Sequence, residues 1–165
     1  MSTPLHILND KWNYYYHLPG DNNWSLSSYK VIMENIDNAE AVKSLNSQIK
    51  NGIIKNTMLF VMRSHITPLW EDPNNRKGGC FSFKVLNRQV SDIWKNLLCA
   101  LCGETLCIDN TKNEHINGIT ISPKKNFCIV KVWMNCCNIQ DPNFIIDIPN
   151  LSKNGCIFKR HEPEF

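Results

Sequence analysis

A chain of 165 residues, 42% hydrophobic and 20% charged with a net charge of +3, is long enough for one domain, residues 1–165, burying about 68–70% of its unfolded surface. No apolar run reaches the roughly 20 residues of a membrane span, no charged-then-apolar opening reads as a secretory signal, and so mild a charge does not by itself predict nucleic-acid binding. Eight Cys in such a chain read as reduced thiols of a cytoplasmic protein, and their spacing, with Cys99 and Cys102 in a helical pattern and no His near Cys136-Cys137, predicts no metal or cofactor.

In chain order, Lys11 to Leu18 is aromatic-rich, is closed by Pro19-Gly20, and predicts a strand and turn. The polar loop Asp21 to Ser25 carries Trp24. Tyr29 to Ile36 reads as a second strand, and Asp37 opens a helix with Glu40 as its capping box. Val42, Leu45 and Ile49 stripe that helix, and Asn51-Gly52 ends it. Thr57 to Arg63 is a nearly continuous apolar strand, and Cys80 to Leu86 is another, with the loop around Trp70 and Gly78-Gly79 between them. Val90, Ile93, Trp94, Leu97, Leu98 and Leu101 repeat at helical spacing through Cys102, with Gly103 as the terminating glycine, so Trp94 is assigned to the core. Ile116 to Ser122 and Phe127 to Asn135 form a hairpin, Phe144 to Ile148 a last strand, and Leu151 to Phe165 a polar, basic tail. The first five residues and about 160–165 are expected to be loose ends. The plan is α+β: an antiparallel sheet with helices on one face, its loops at one end holding Trp24, Trp70 and the Lys124 turn.

The chemistry centres on Pro68-Leu69-Trp70-Glu71-Asp72. An indole beside a carboxylate stacks on a flat ring and accepts hydrogen bonds from that ring's edge. Guanine offers a π-face together with an N1–H and an N2–H₂ that one carboxylate takes together. A second indole makes a clamp, and Trp24 and Trp133 are the partners in useful places. Lys131 lies between Ile129 and Trp133 on one strand face, which is odd for a core and suits a half-open face that holds a ligand. Six Lys or Arg precede Trp70 and twelve follow it, so a phosphate path would come from the second half. Competing readings are weaker. A hydrolase needs clustered carboxylates or a His with a nucleophile, whereas Glu71 and Asp72 are adjacent and the five His are scattered. A plain protein-binding domain would make every Trp core.

These residues resemble the eukaryotic translation initiation factor 4E family. The matching pieces are His6 to Trp12, Trp24, Pro68 to Asp72 with Arg76-Lys77-Gly78-Gly79, Ile93-Trp94 through Gly103-Glu104, and Ile129 to Trp133, in order from about residue 6 to 135. The resemblance implies a curved antiparallel sheet with helices on the convex back and a messenger RNA cap on the concave front, in a monomeric cytoplasmic protein that is not an enzyme. It implies that Trp24 and Trp70 sandwich the methylguanine. Glu71 would take N1–H and N2–H₂, the Trp70 backbone N–H would donate to O6, and Trp133 would lie against the N7-methyl group. It points to Lys124 and Lys125 for the cap phosphates, where Lys lacks the bidentate fork of the family's Arg, so the triphosphate grip is expected to lean on Lys159 or Arg160 of the tail or to be weaker.

The departures matter. Cys80 stands where the family has a basic residue and Phe81 where it has Trp. His6, Leu8, Lys43, Lys95 and Asn96 fall on the family's partner-binding surface, but two ammonium groups make a poor apolar socket for the helix of an initiation scaffold. The partners implied are capped mRNA and an altered scaffold protein or none, which keeps a cap-sequestering repressor as the alternative to an initiation factor. Abundant Asn with Lys and Ile suggests an A/T-rich genome, as in a virus or parasite.

Overall fold

The computed structural model describes residues 3–165. Seven strands form one antiparallel sheet: β1 (Ile7–His17), β2 (Lys30–Asn38), β3 (Met58–Arg63), β4 (Gly79–Leu86), β5 (Ile116–Pro123), β6 (Phe127–Met134) and β7 (Ile157–Arg160), in the spatial order β2-β1-β3-β5-β6-β4-β7. Helices α1 (Ala39–Gln48), α2 (Asn51–Asn56) and α3 (Val90–Cys102) pack on its convex face.

Two neighbouring rows of residues give the sheet its two different faces. Tyr14, Val61, Ile119, Val132, Phe81 and Phe158 lie opposite one another across six strands. All are apolar or aromatic and belong to the main core against α3. One residue along, Tyr15, Phe60, Thr120, Lys131, Ser82 and Ile157 form the next row. Successive side chains on a strand alternate faces, so this second row looks out of the concave front. It is half polar, and only a small cluster that includes Tyr15, Phe60, Tyr29 and Trp133 is buried there.

The stripe on α3 is buried as its spacing predicts. Trp94 is fully buried and donates its Nε1–H to the Tyr14 hydroxyl at 2.8 Å. The helix does not close on a left-handed glycine. Gly103 keeps a helical φ of −78°, and Glu104 takes the left-handed φ of 53° instead. The Glu104 carboxylate meets Arg63 at 2.7 Å, an ion pair that holds this unusual turn.

Four local expectations are corrected. Helix α1 is capped by Asn38, whose side chain accepts from the Ala41 N–H at 2.9 Å, while Glu40 turns back to the His6 backbone and ring. Asn51-Gly52 does not terminate structure but begins α2. Phe144 to Ile148 is not a strand: Pro142–Phe144 is a short 3-10 turn, and only Ile145 bridges to Cys107. The basic tail supplies β7, which completes the sheet edge against β4, and His161 beyond it is buried rather than loose.

The double glycine is a packing requirement. A Cβ on Gly78 would collide with the Met134 carbonyl, and one on Gly79 with the Lys159 carbonyl and the Phe158 ring. The start of β4 is threaded between β6 and β7 at a distance only glycine allows.

Candidate functional site

The two loops that carry the exposed indoles leave opposite ends of the sheet, contrary to the single end expected. His17 at the end of β1 pairs with Met58, whereas Trp12 pairs with Arg63 at the far end of β3. The Trp24 loop therefore starts beside Met58, and the Trp70 loop starts beyond Arg63 and folds back over the concave face. They meet across a cleft of about 350 Å³ lined by Trp24, Tyr29, Phe60, Trp70, Glu71 and Trp133, with Thr120, Ser122 and Lys131 also reaching it. That volume suits one small ligand.

The Trp24 loop is built from short side chains that bond their own backbone. Asp21 accepts from the Asn23 N–H and Asn23 from the Ser25 N–H, each at 2.9 Å. His17, fully buried, lies flat against Trp24 with ring centroids 4.0 Å apart and planes 6° from parallel. Its Nε2 also contacts the Asn23 carbonyl at 2.8 Å and the Ser28 hydroxyl at 3.1 Å. One face of the indole is thus backed by an imidazole tied to the loop's own backbone, and 50% of Trp24 stays exposed.

The Trp70 loop is organised by Asp72. Its carboxylate accepts from the Thr67 N–H and hydroxyl and from the Asn74 N–H and side-chain amide, at 2.8–3.1 Å. Burial opposes the charged form, but these hydrogen bonds outweigh it and hold the carboxyl below its ordinary range. Asn75, also buried, donates to the Thr67 and Leu69 carbonyls at 3.0 and 2.8 Å. Asp72 and Asn75 are therefore spent on the loop, which leaves Trp70 and Glu71 free of its construction.

Glu71 is half-buried, and its Oε2 is enclosed with no hydrogen-bond partner. An enclosed carboxylate oxygen left unpaired costs about 1–3 kcal/mol or more. Across the cleft, burial pushes the Tyr29 phenol above its ordinary value, and the Glu71 charge adds to that. Trp70 is 38% exposed, with His161 stacked at 6.0 Å and 26°. His161 also tilts against Trp133 at 4.8 Å. Burial and then the Lys131 charge bring its pKa down to about 4, so this imidazole is neutral at pH 7. Trp133 is only 4% exposed and donates its Nε1–H to Thr120 Oγ1 at 3.2 Å, so just an edge of its indole faces the cleft.

The structure thus brings Trp24, Trp70, Glu71 and Trp133 together. It does not bring Lys124 or Lys125 to the cleft, because both are exposed on the β5–β6 turn. Lys159 and Arg160 lie on β7 opposite Cys80 and Gly79. On the convex side Lys43 and Asn96 are exposed, Lys95 reaches Asn51 Oδ1 at 3.4 Å, Leu8 packs half-buried against the core, and His6 is engaged by Glu40. Sequence reasoning missed His17 and His161 as the rings backing the indoles, and Tyr29 and Phe60 as cleft wall. No signal in the chain separates those four from ordinary core residues. Lys131, which its place between Ile129 and Trp133 marks as part of a half-open face, does line the cleft.

Comparison with known proteins agrees with this architecture. The family model for eukaryotic initiation factor 4E matches residues 7–154. The eukaryotic translation initiation factor 4E of Eremothecium gossypii is 33% identical over 164 residues, covering 93% of this chain and 70% of its own. A homologue from Acanthamoeba polyphaga mimivirus is 34% identical over 94 residues, which cover 57% of this chain and 34% of the viral one. Among solved structures, Schistosome eIF4E complexed with m7GpppG and 4E-BP superposes with a TM-score of 0.72 at 26% identity, over 82% of this chain and 75% of that one. Ascaris suum eIF4E-3 with m7G cap gives 0.71 at 25% identity, over 82% and 76%. With the family model matched over residues 7–154 and a relative 33% identical along 93% of this chain and 70% of its own, the chain belongs to the eukaryotic initiation factor 4E family.

Proposed function

We propose that the cleft binds the 7-methylguanosine cap of messenger RNA and that the protein acts in translation initiation as a non-enzymatic cap-binding factor. The observation that carries this reading is the enclosed, partnerless Glu71 Oε2 in a cleft flanked by two half-exposed indoles. A carboxylate so placed needs a donor from outside the chain, and guanine's N1–H and N2–H₂ supply two. Trp24 and Trp70 take the two faces of the base, and the edge of Trp133 takes the N7-methyl side. The family relatives solved with m7GpppG and with m7G cap support the same ligand class.

Methylation at N7 makes the base a cation. Cation–π attraction then adds about 0.5–2 kcal/mol for the methylated base alone. Titration of Trp fluorescence with 7-methyl-GTP and with GTP is expected to give at least a tenfold preference for the methylated nucleotide, about 1.4 kcal/mol. Equal quenching by both refutes the clamp.

A second reading, a cap-sequestering protein that does not engage the usual scaffold, is favoured by the convex surface. Lys43 is exposed on α1 and Lys95 faces α2, where a bound apolar helix would need a greasy socket. A peptide carrying Tyr-x-x-x-x-Leu is expected to bind more weakly than about 1 μM, short of roughly −8.2 kcal/mol. Sub-micromolar affinity by calorimetry restores the ordinary scaffold as partner.

A further inference from the structure

We propose that Lys131, with Lys159 beside it, is the seat for the triphosphate that follows the methylated base; this rests on the cap-binding reading above. A triphosphate leaving the cleft must meet cations at its floor or mouth. Among the described residues that line the cleft, Lys131 is the one Lys or Arg. It stands directly opposite Thr120 on one side and Ser82 on the other, so its ammonium rises from the concave face between two hydroxyl groups. Two residues along on the same face, Trp133, Cys80 and Lys159 form the next row. Same-face diagonal neighbours lie about 7–8 Å apart, within the reach of long side chains. Lys131 and Lys159 therefore bracket Cys80, a position that carries no charge of its own.

The seat is open. Glu71 and Glu164 line the same cleft, yet among the described residues neither Lys131 nor Lys159 is held in an ion pair. The ammonium fields reach into the site. Burial raises the Cys80 thiol, with Lys131 and Lys159 pulling against it, and Lys131 adds to the lowering of His161. Lys124 and Lys125, by contrast, project from a turn outside the cleft.

This placement has a consequence specific to the chain. An ammonium in the floor of a cleft that takes a cationic base repels that base unless phosphate is present to neutralise it. Methylated guanosine without phosphate is then held poorly, and affinity climbs with each phosphate added.

The test is calorimetry of the full chain with 7-methylguanosine, 7-methyl-GMP and 7-methyl-GTP, for wild type, Lys131→Met, Lys131→Arg and Lys159→Met, with thermal melts of each. Lys131→Met is expected to lose about tenfold in affinity for the triphosphate, the scale of one charge-assisted contact, and to bind the nucleoside at least as tightly as wild type, because the repulsion of the cationic base is gone. Lys131→Arg keeps wild-type affinity to within about threefold, and Lys159→Met loses about threefold. Wild-type binding of 7-methyl-GTP weakens with salt more steeply than that of the nucleoside, a measurement independent of any variant's folding. Unchanged triphosphate affinity in Lys131→Met overturns the seat, as does an equal loss for nucleoside and triphosphate or an equal salt dependence. If wild type still prefers 7-methyl-GTP to GTP while any of these holds, only the seat falls. If wild type shows no such preference, the cap-binding reading falls first.

Discussion

Trp70→Ala and Trp24→Ala are each expected to reduce affinity for 7-methyl-GTP by tenfold to a thousandfold, measured by calorimetry because fluorescence loses its reporters in these variants. Base–aromatic stacking contributes about 1–3 kcal/mol and cation–π attraction about 0.5–2. Removing one wall of the clamp forfeits both contributions on that face. It also leaves that face of the base in water, so the remaining indole holds a less enclosed base from one side only. The fold has little stake in either residue. With 50% of Trp24 and 38% of Trp70 exposed, truncation removes surface rather than core, and surface substitutions stay within about 0.5 kcal/mol. Trp94 is the contrast, since it is fully buried and bonded to Tyr14. Intact melting with lost binding identifies the two indoles as ligand groups; full affinity in either variant shows that the indole is only a lid over the end of the core.

The two walls are not equivalent. Trp24 lies flat on His17, whose ring is fixed by the Asn23 carbonyl and Ser28 hydroxyl, so its plane is set before any ligand arrives. Trp70 is backed less closely by His161, which is itself shared with Trp133. Ordering a side chain on binding costs about 0.5–1.5 kcal/mol, and a pre-set Trp24 avoids part of that cost.

How much of this was legible in the chain depends on how local the cause is. The α3 stripe was legible to the residue, because Val90 to Cys102 obeys one helical period and the core it faces is apolar throughout. The run Met58 to Arg63 was legible as a central strand for the same reason. Strand β7 was not, since Ile157-Phe158-Lys159-Arg160 has too little alternation and is made a strand by the open edge of β4. Phe144 to Ile148 failed in the opposite sense: its apolar side chains pack into the core, yet in the backbone ladder it contributes one bridge residue, Ile145, to Cys107. Of the site, the Trp70-Glu71 pair could be read from residue chemistry, while the meeting of two loops from opposite ends of the sheet is a tertiary fact that no local pattern carries.

Glu71→Gln tests whether the site reads the edge of the base as well as its faces. The glutamine keeps the length and shape of the side chain but replaces one acceptor oxygen by a donor. Guanine presents two donors, N1–H and N2–H₂, so one of the two hydrogen bonds becomes a donor facing a donor. Hydrogen bonds to a charged group are worth about 1.5–3 kcal/mol, so affinity for 7-methyl-GTP is expected to fall by about ten- to a hundredfold. Adenine offers one acceptor and one donor on the same edge, which an amide can match and a carboxylate cannot. The ratio of GTP to ATP affinity is therefore expected to shrink in the variant, and an unchanged ratio shows that Glu71 does not read the base. Stability should move the other way. In the free protein Glu71 Oε2 is enclosed without a partner, so a neutral amide there relieves a desolvated charge and the melting temperature holds or rises. Weaker binding together with an equal or more stable fold is what distinguishes a group kept for its ligand from one kept for the structure.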